Sequence, residues 1–171
     1  MTSSEFATLA AALKTAYMRD KFLATKEAYD LWFGMLGDLP YEAASNAVKR
    51  WILTEKWTPT IADIRERATQ VMIPAIPDWS EGWEAVLNAI HRWGMHRESE
   101  ALATLPEITR KTVKRIGWQN ICLSEEISIE RANFRQIYEA ITEREKRTAQ
   151  LPESMKGGLI EKNNDRDSLP G

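Results

Sequence analysis

The chain has 171 residues, a net charge of −2 at pH 7, one cysteine and two histidines. This length suits one domain, or one compact domain with a small appendage, and it can bury a core without disulfides or metals. The charge gives no overall attraction to nucleic acid or acidic membranes. One cysteine excludes an internal disulfide, and with two histidines it argues against a structural zinc site.

Apolar residues recur with a period near 3.6 along most of the chain, which predicts an all-α, compact multi-helix bundle. The first helix is expected to begin after Ser3 or Ser4. Thr25 is expected to cap the second helix, and Pro40 opens the third at a first-turn position. The predicted inward-facing residues of these helices are Phe6, Leu9, Ala10, Leu13, Ala16, Tyr17, Ala28, Leu31, Trp32, Met35, Leu36, Ala43, Ala44, Ala47, Val48, Trp51 and Ile52.

The segment Trp57–Glu66 predicts a sharp corner between the third and fourth helices. Pro59 disfavours the α conformation at the residue before it, so the third helix must already have ended, near Leu53. Thr60 is a good N-cap, and Asp63, three residues later, can reach back to complete a capping box. The fourth helix is therefore expected to begin one residue after its cap.

Two prolines, Pro74 and Pro77, interrupt the helical pattern and predict the main domain boundary. The N-terminal helical domain is expected to cover residues 1–73, and residues 74–78 form a short stiff linker. A smaller helical region, 79–150, follows and ends in a long helix.

Within this second region, Ser80 is expected to cap a helix that Gly94 ends. A short helix near residues 98–103 follows, and Pro106 opens another that ends near Gly117. The last helix is expected at about residues 124–148. The predicted buried residues of the first and last of these helices are Trp83, Val86, Leu87, Ile90, Ile127, Phe134, Ile137, Tyr138 and Ile141.

Residues 151–171 differ in composition, with two prolines, three glycines, two asparagines and many charges. Such a segment buries too little apolar surface to offset the entropy of ordering its backbone. It is therefore predicted to be a flexible tail that is disordered when free.

No pattern of residues predicts catalysis or a cofactor. The only glycine pair, Gly157-Gly158, lacks the Lys-Ser/Thr of a phosphate-binding loop, and the metalloprotease and nucleophile-elbow motifs are absent from the sequence. His91 and His96 are five residues apart and point to different helix faces. Cys122 has apolar neighbours and is expected to be an inert buried thiol. We expect a protein that is not an enzyme.

Four basic residues form one cationic face of a predicted helix: Arg110, Lys111, Lys114 and Arg115. They are either a solvated stripe near a helix C-terminus, where cations are favoured, or a contact for nucleic-acid phosphates or an acidic partner. No base-reading module accompanies them. The sequence leaves both interpretations open.

Several blocks of sequence follow one another in a distinctive order: Leu9–Tyr17, Leu31–Tyr41, Ala47–Ile64, Trp83–Ile90, Leu105-Pro106, Arg131–Tyr138, Glu143–Glu145 and Leu151-Pro152. This order resembles the phage replicative-helicase loader/inhibitor family, small proteins that bind a hexameric replicative helicase. The resemblance covers roughly residues 5–155. Trp57 departs from it, because relatives often carry a smaller residue there, and the difference is expected to affect packing only.

The resemblance implies a compact helical N-terminal domain, a flexible C-terminal region that contacts the helicase, and no enzymatic activity. It implies that the protein holds the ATP-bound helicase inactive, delivers it to an origin-bound initiator and is released, in the cytoplasm of a bacterial host. Under this hypothesis, cations near the end of the last helix and apolar residues of the tail bind the helicase. They are Arg144, Lys146, Arg147, Leu151, Pro152, Met155, Leu159 and Ile160.

Two other functions fit the sequence. The first is a DNA-binding replication or packaging accessory protein that contacts phosphates through the cationic face. The second is a structural or assembly protein of a phage whose helical faces serve only self-association.

Overall fold

The computed structural model describes residues 1–18, 22–72, 75–152 and 154–156. Every regular element in these ranges is a helix, which confirms the predicted all-α fold. None of the helices there is long and apolar enough to cross a membrane. The helices are α1 (Ser3–Ala16), α2 (Lys26–Leu36), α3 (Tyr41–Thr54), α4 (Ile61–Met72), α5 (Trp79–Trp93), α6 (Glu98–Thr104), α7 (Glu107–Ile116), α8 (Trp118–Leu123) and α9 (Ile127–Gln150), with one helical turn at 154–156.

The chain divides into two compact units. The first combines Met1–Pro74 with Thr148–Gly171, and the second is Ala75–Arg147. The last three residues of α9 thus belong to the first unit, an arrangement that the sequence did not predict. Pro74, the first residue of the predicted linker, and residues 157–171, most of the predicted tail, lie outside the described residues. The linker and the flexible tail therefore stay predictions.

The core of the first unit is built around α3. Ala44 and Ala47 are fully buried, and their small side chains let neighbouring helices approach α3 closely. The helices α1 and α4 pack against α3. Buried residues of α1, α3 and α4 form this core: Phe6, Leu9, Ala10, Leu13, Ala43, Ala44, Ala47, Val48, Trp51, Ile64 and Ala68.

The predicted inward face of α2 is partly wrong, because Leu31 is 55% exposed and Met35 is also exposed. The rings of Tyr29 and Phe33 point inward instead, with centroids 4.9 and 5.5 Å from the ring of Phe6. The helix is apolar on most of its sides, so its periodicity alone does not choose the buried side.

The predicted corner between α3 and α4 is confirmed in its details. The Thr60 N–H donates to Asp63 Oδ2 over 2.8 Å, and the Asp63 N–H donates to Thr60 Oγ1 over 3.2 Å, which completes the capping box. Trp51 Nε1 donates to the Trp57 carbonyl over 2.9 Å and ties the loop to α3. Local hydrogen bonds therefore set the angle of chain entry into α4.

We expect Thr60→Ala to lower the free energy of unfolding by about 1 kcal/mol, since it removes the acceptor for an otherwise unpaired helix N–H. Urea denaturation followed by circular dichroism measures the change. Thr60→Ser keeps the hydroxyl and is the matched control. Equal stability of the alanine and serine variants would show that the cap contributes nothing.

The core of the second unit joins α5 to α9. The Phe134 ring of α9 lies 5.2 Å from that of Trp83 in α5 and 5.5 Å from that of Tyr138. Gly82 permits this close approach, because a Cβ there would come within 2.9 Å of Tyr138 Cε2. The Tyr138 hydroxyl donates to the Pro77 carbonyl over 2.9 Å.

Several predictions for the second unit are wrong in detail. Asp78, not Ser80, caps α5, and its Oδ1 accepts the Ser80 N–H over 2.9 Å. The predicted inward residues Leu87 and Ile127 are exposed, since the buried face of α9 centres on Phe134 and Tyr138. The first helix of the chain likewise has its cap one residue earlier than predicted, at Thr2. Helix α8 was not predicted.

Candidate partner-binding site

A buried arginine organises one end of the first unit. Arg65 of α4 is 8% exposed. Its Nη1 and Nη2 donate to the two carboxylate oxygens of Asp38 over 2.7 and 2.8 Å, a bidentate pair. Asp38 stands in the loop between α2 and α3. The pair therefore joins that loop to α4 through the strongest geometry that an arginine and a carboxylate can adopt.

The same guanidinium also binds two main-chain carbonyls. Arg65 Nη1 donates to the Met35 carbonyl, and Nε donates to the Gln150 carbonyl over 2.5 Å. Both carbonyls lie in the last turn of a helix, where they lack an intrahelical partner and where the helix dipole favours a cation. Arg65 thus stabilises the C-terminal ends of α2 and α9 together. We call Met35, Asp38, Arg65 and Gln150 the Arg65 junction.

The electrostatics of the junction keep it ionised. The hydrogen bonds from Arg65 are the largest cause that lowers the pKa of the Asp38 carboxyl, and the charge of the guanidinium adds to them, while partial burial opposes both. The buried guanidinium therefore faces a full negative charge at neutral pH. Because Gln150 is the last residue of α9, the junction fixes the point at which the tail begins.

The predicted helicase-binding residues fall into two groups. Arg144, Lys146 and Arg147 are exposed on α9, and Arg147 Nε donates to Glu143 over 2.9 Å. Beyond the junction, the described tail residues are Leu151 and Pro152, which are half-buried, and Met155, which is 52% exposed. Leu159 and Ile160 lie outside the described residues. The structure does not test whether any of them binds a helicase.

The predicted cationic face is less positive than its sequence implies. Lys111 Nζ lies 2.9 Å from Glu107 and 2.8 Å from Glu145, so two carboxylates neutralise it. Arg110 is half-buried, whereas Lys114 and Arg115 are exposed. Among the described residues, no carboxylate pairs with these three.

An open groove of about 560 Å³ runs along the corner between α3 and α4. Arg67 forms part of its wall: its guanidinium lies 4.5 Å from the centre of the Trp51 ring and pairs with Glu55. Trp57 borders the groove and is 61% exposed. The expectation that Trp57 affects packing only is therefore wrong, and its departure from the family pattern was the available signal.

Cys122 does not have the setting of a reactive thiol. It is a half-buried free cysteine on α8. Burial raises the pKa of its thiol, and the nearby charge of Glu98 raises it further. Its thiolate population at neutral pH is therefore small, which disfavours nucleophilic chemistry.

Comparison with known proteins identifies the first part of the chain. Residues 1–65 match the family model of an N-terminal domain that belongs to a phage replication protein. No curated protein and no solved structure matches the chain. The matched segment ends at Arg65 and includes Asp38, so it contains two of the four residues of the junction. The resemblance inferred from the sequence is thereby confirmed for this segment: residues 1–65 correspond to the N-terminal domain of the helicase loader/inhibitor of phage SPP1.

Proposed function

We propose that this protein is a phage or prophage DNA-replication accessory protein that binds a hexameric replicative helicase and acts as its loader, its inhibitor or both, without enzymatic activity of its own. The match of residues 1–65 to the N-terminal domain of the SPP1 loader/inhibitor carries this proposal. The proposed setting is the cytoplasm of a bacterial host, with an origin-bound initiator as a further partner.

The geometry of the Arg65 junction supports a division of labour within the first unit. The helices α1, α3 and α4 form a packed scaffold, and the junction anchors residue 150 on it. The residues that follow present an exposed Met155 on a short helical turn. Apolar side chains on a short segment beside a rigid scaffold are suited to insertion into a groove of a partner.

Loading and inhibition both require that the protein prefer one state of the helicase. A protein that binds two states equally shifts neither, however tightly it binds. A preference of about 2–3 kcal/mol for one nucleotide state corresponds to roughly 30- to 150-fold discrimination. This proposal therefore predicts nucleotide-dependent binding.

Size-exclusion chromatography with light scattering tests the proposal. The full chain is mixed with the hexameric replicative helicase of the host, with and without a non-hydrolysable ATP analogue. We expect a co-eluting complex whose stability depends on the nucleotide. An ATPase assay of the complex then separates inhibition from loading. Absence of a complex in every nucleotide state, with host and phage helicases alike, would contradict the proposal.

A further inference from the structure

A cluster of cations lies at one end of the second unit. Trp118 Nε1, at the start of α8, donates to the Met95 carbonyl over 3.2 Å. Met95 belongs to the loop between α5 and α6, and Trp118 directly follows the residue that ends α7. This hydrogen bond therefore brings the C-terminal ends of α5 and α7 beside each other.

Four exposed basic residues are at these helix ends. Arg92 lies in the last turn of α5 and Arg97 directly precedes α6, while Lys114 and Arg115 lie in the last turn of α7. Arg97 shares one exposed ion pair, with Glu100. Among the described residues, Arg92, Lys114 and Arg115 have no carboxylate partner. We call these four residues the basic end.

Two of these cations are held in place by an aromatic ring. The guanidinium carbons of Arg92 and Arg97 lie 5.0 and 4.5 Å from the centre of the Trp93 ring. Cation–π contacts orient the flat guanidinium groups and leave their N–H donors available. Fixed, exposed guanidinium groups are well suited to phosphate oxygens, which they bind in a bidentate manner.

The composition of the surface favours nucleic acid over an acidic protein. The centres of protein interfaces are apolar and poor in charge. No large apolar side chain among residues 90–97 or 110–117 is exposed, so the basic end has no such centre. Exposed cations with arginines stacked on an aromatic ring are instead typical of surfaces that follow a phosphate backbone.

We propose that the basic end binds the phosphate backbone of nucleic acid, as a contact separate from the proposed helicase site. The sequence-predicted set, Arg110, Lys111, Lys114 and Arg115, is thereby revised. Glu107 and Glu145 neutralise Lys111, and Arg92 and Arg97 take part instead. The proposal does not depend on helicase binding.

Fluorescence anisotropy with a labelled single-stranded oligonucleotide, and with a duplex of the same length, tests this proposal on the full chain. With four phosphate contacts, the slope of log affinity against log salt should be about −3 for the single strand. A fourfold increase in salt should then weaken binding roughly 50-fold. Absence of binding to both probes at low salt would overturn the proposal.

Charge reversal locates the contact. Lys114→Glu/Arg115→Glu should abolish most of the binding and flatten the salt slope. Lys26→Glu/Lys49→Glu makes the same change in net charge at exposed sites of the first unit and should leave binding nearly unchanged. Lys111→Gln should also have little effect, because its charge is already neutralised. Equal losses in both double variants would show that only net charge matters, and would overturn the proposal.

A helicase-binding assay of Lys114→Glu/Arg115→Glu distinguishes the two proposals. We expect this variant to retain the helicase complex, with unchanged circular dichroism. If the variant loses helicase binding and neither oligonucleotide binds the wild type, the basic end contacts a protein, and the nucleic-acid proposal is wrong.

Discussion

Asp38→Asn is expected to lower the free energy of unfolding of the first unit by about 2–4 kcal/mol. Removing one member of a buried ion pair leaves the other charge uncompensated, at a cost of about 3–5 kcal/mol. The side chain of Arg65 is only 10% exposed, but that of Asp38 is 34% exposed, so solvent reduces the expected loss. Asparagine keeps the shape of the side chain and loses its charge.

Urea denaturation followed by circular dichroism measures this loss. Asp30→Asn is the matched control, because it makes the same chemical change at an exposed position of α2. Water already solvates Asp30, so we expect a change within about 0.5 kcal/mol. If both variants lose equally little, the Arg65 junction does not stabilise the unit.

Acidification should have the same effect on the wild type. Because Arg65 lowers the pKa of Asp38 in the folded state, the ionised carboxylate contributes stability at every pH above its unfolded pKa, about 3.9. That contribution is lost as the pH falls through the lowered folded pKa. The stability difference between the wild type and Asp38→Asn should therefore be constant near neutral pH and shrink below about pH 4.

Local chemistry explains what could be predicted from the sequence. The corner at Pro59 and Thr60 depends on one proline restriction and two short hydrogen bonds, so its residues determine it without the rest of the fold. The all-α fold follows in the same way from a period that hardly varies along the chain. In α2, by contrast, the same periodicity allowed more than one inward face, and Leu31 was assigned to the wrong side.

The candidate sites could not be predicted because their contacts are distant in sequence. Asp38 and Gln150 lie 27 and 85 positions from Arg65, and in the sequence Arg65 resembles any solvent-facing residue of a charged helix. The neutralisation of Lys111 likewise depends on Glu145, 34 positions away. Helical spacing identifies cations that share a face, but only the tertiary structure shows which of them have partners.

The location of the junction determines how the tail hypothesis must be tested. Deleting residues 149–171 would remove the Gln150 carbonyl together with the tail, and would leave a donor of the buried Arg65 guanidinium without its partner. An unsatisfied buried group costs about 1–3 kcal/mol. Loss of helicase binding in that variant would therefore combine a damaged first unit with a missing tail.

A chain that ends at Pro152 avoids this ambiguity, because it keeps the Gln150 carbonyl in a peptide bond. We expect it to melt as the wild type does, and to lose the nucleotide-dependent helicase complex in size-exclusion chromatography. A chain that ends at Thr148 should lose the complex and also melt at a lower temperature. Unchanged binding by the chain that ends at Pro152 would contradict the assignment of the helicase contact to the tail.

A single substitution then locates the contact within the described part of the tail. Met155→Asp places a charge where an exposed apolar side chain is expected to enter a groove of the helicase, and should weaken binding by tenfold or more, because such anchors contribute about 2 kcal/mol. Met18→Asp makes the same change at a more exposed methionine of the first unit and should have no effect. If Met155→Asp binds as the wild type does while the chain ending at Pro152 does not, Met155 is not an anchor, and the contact depends on residues beyond 155.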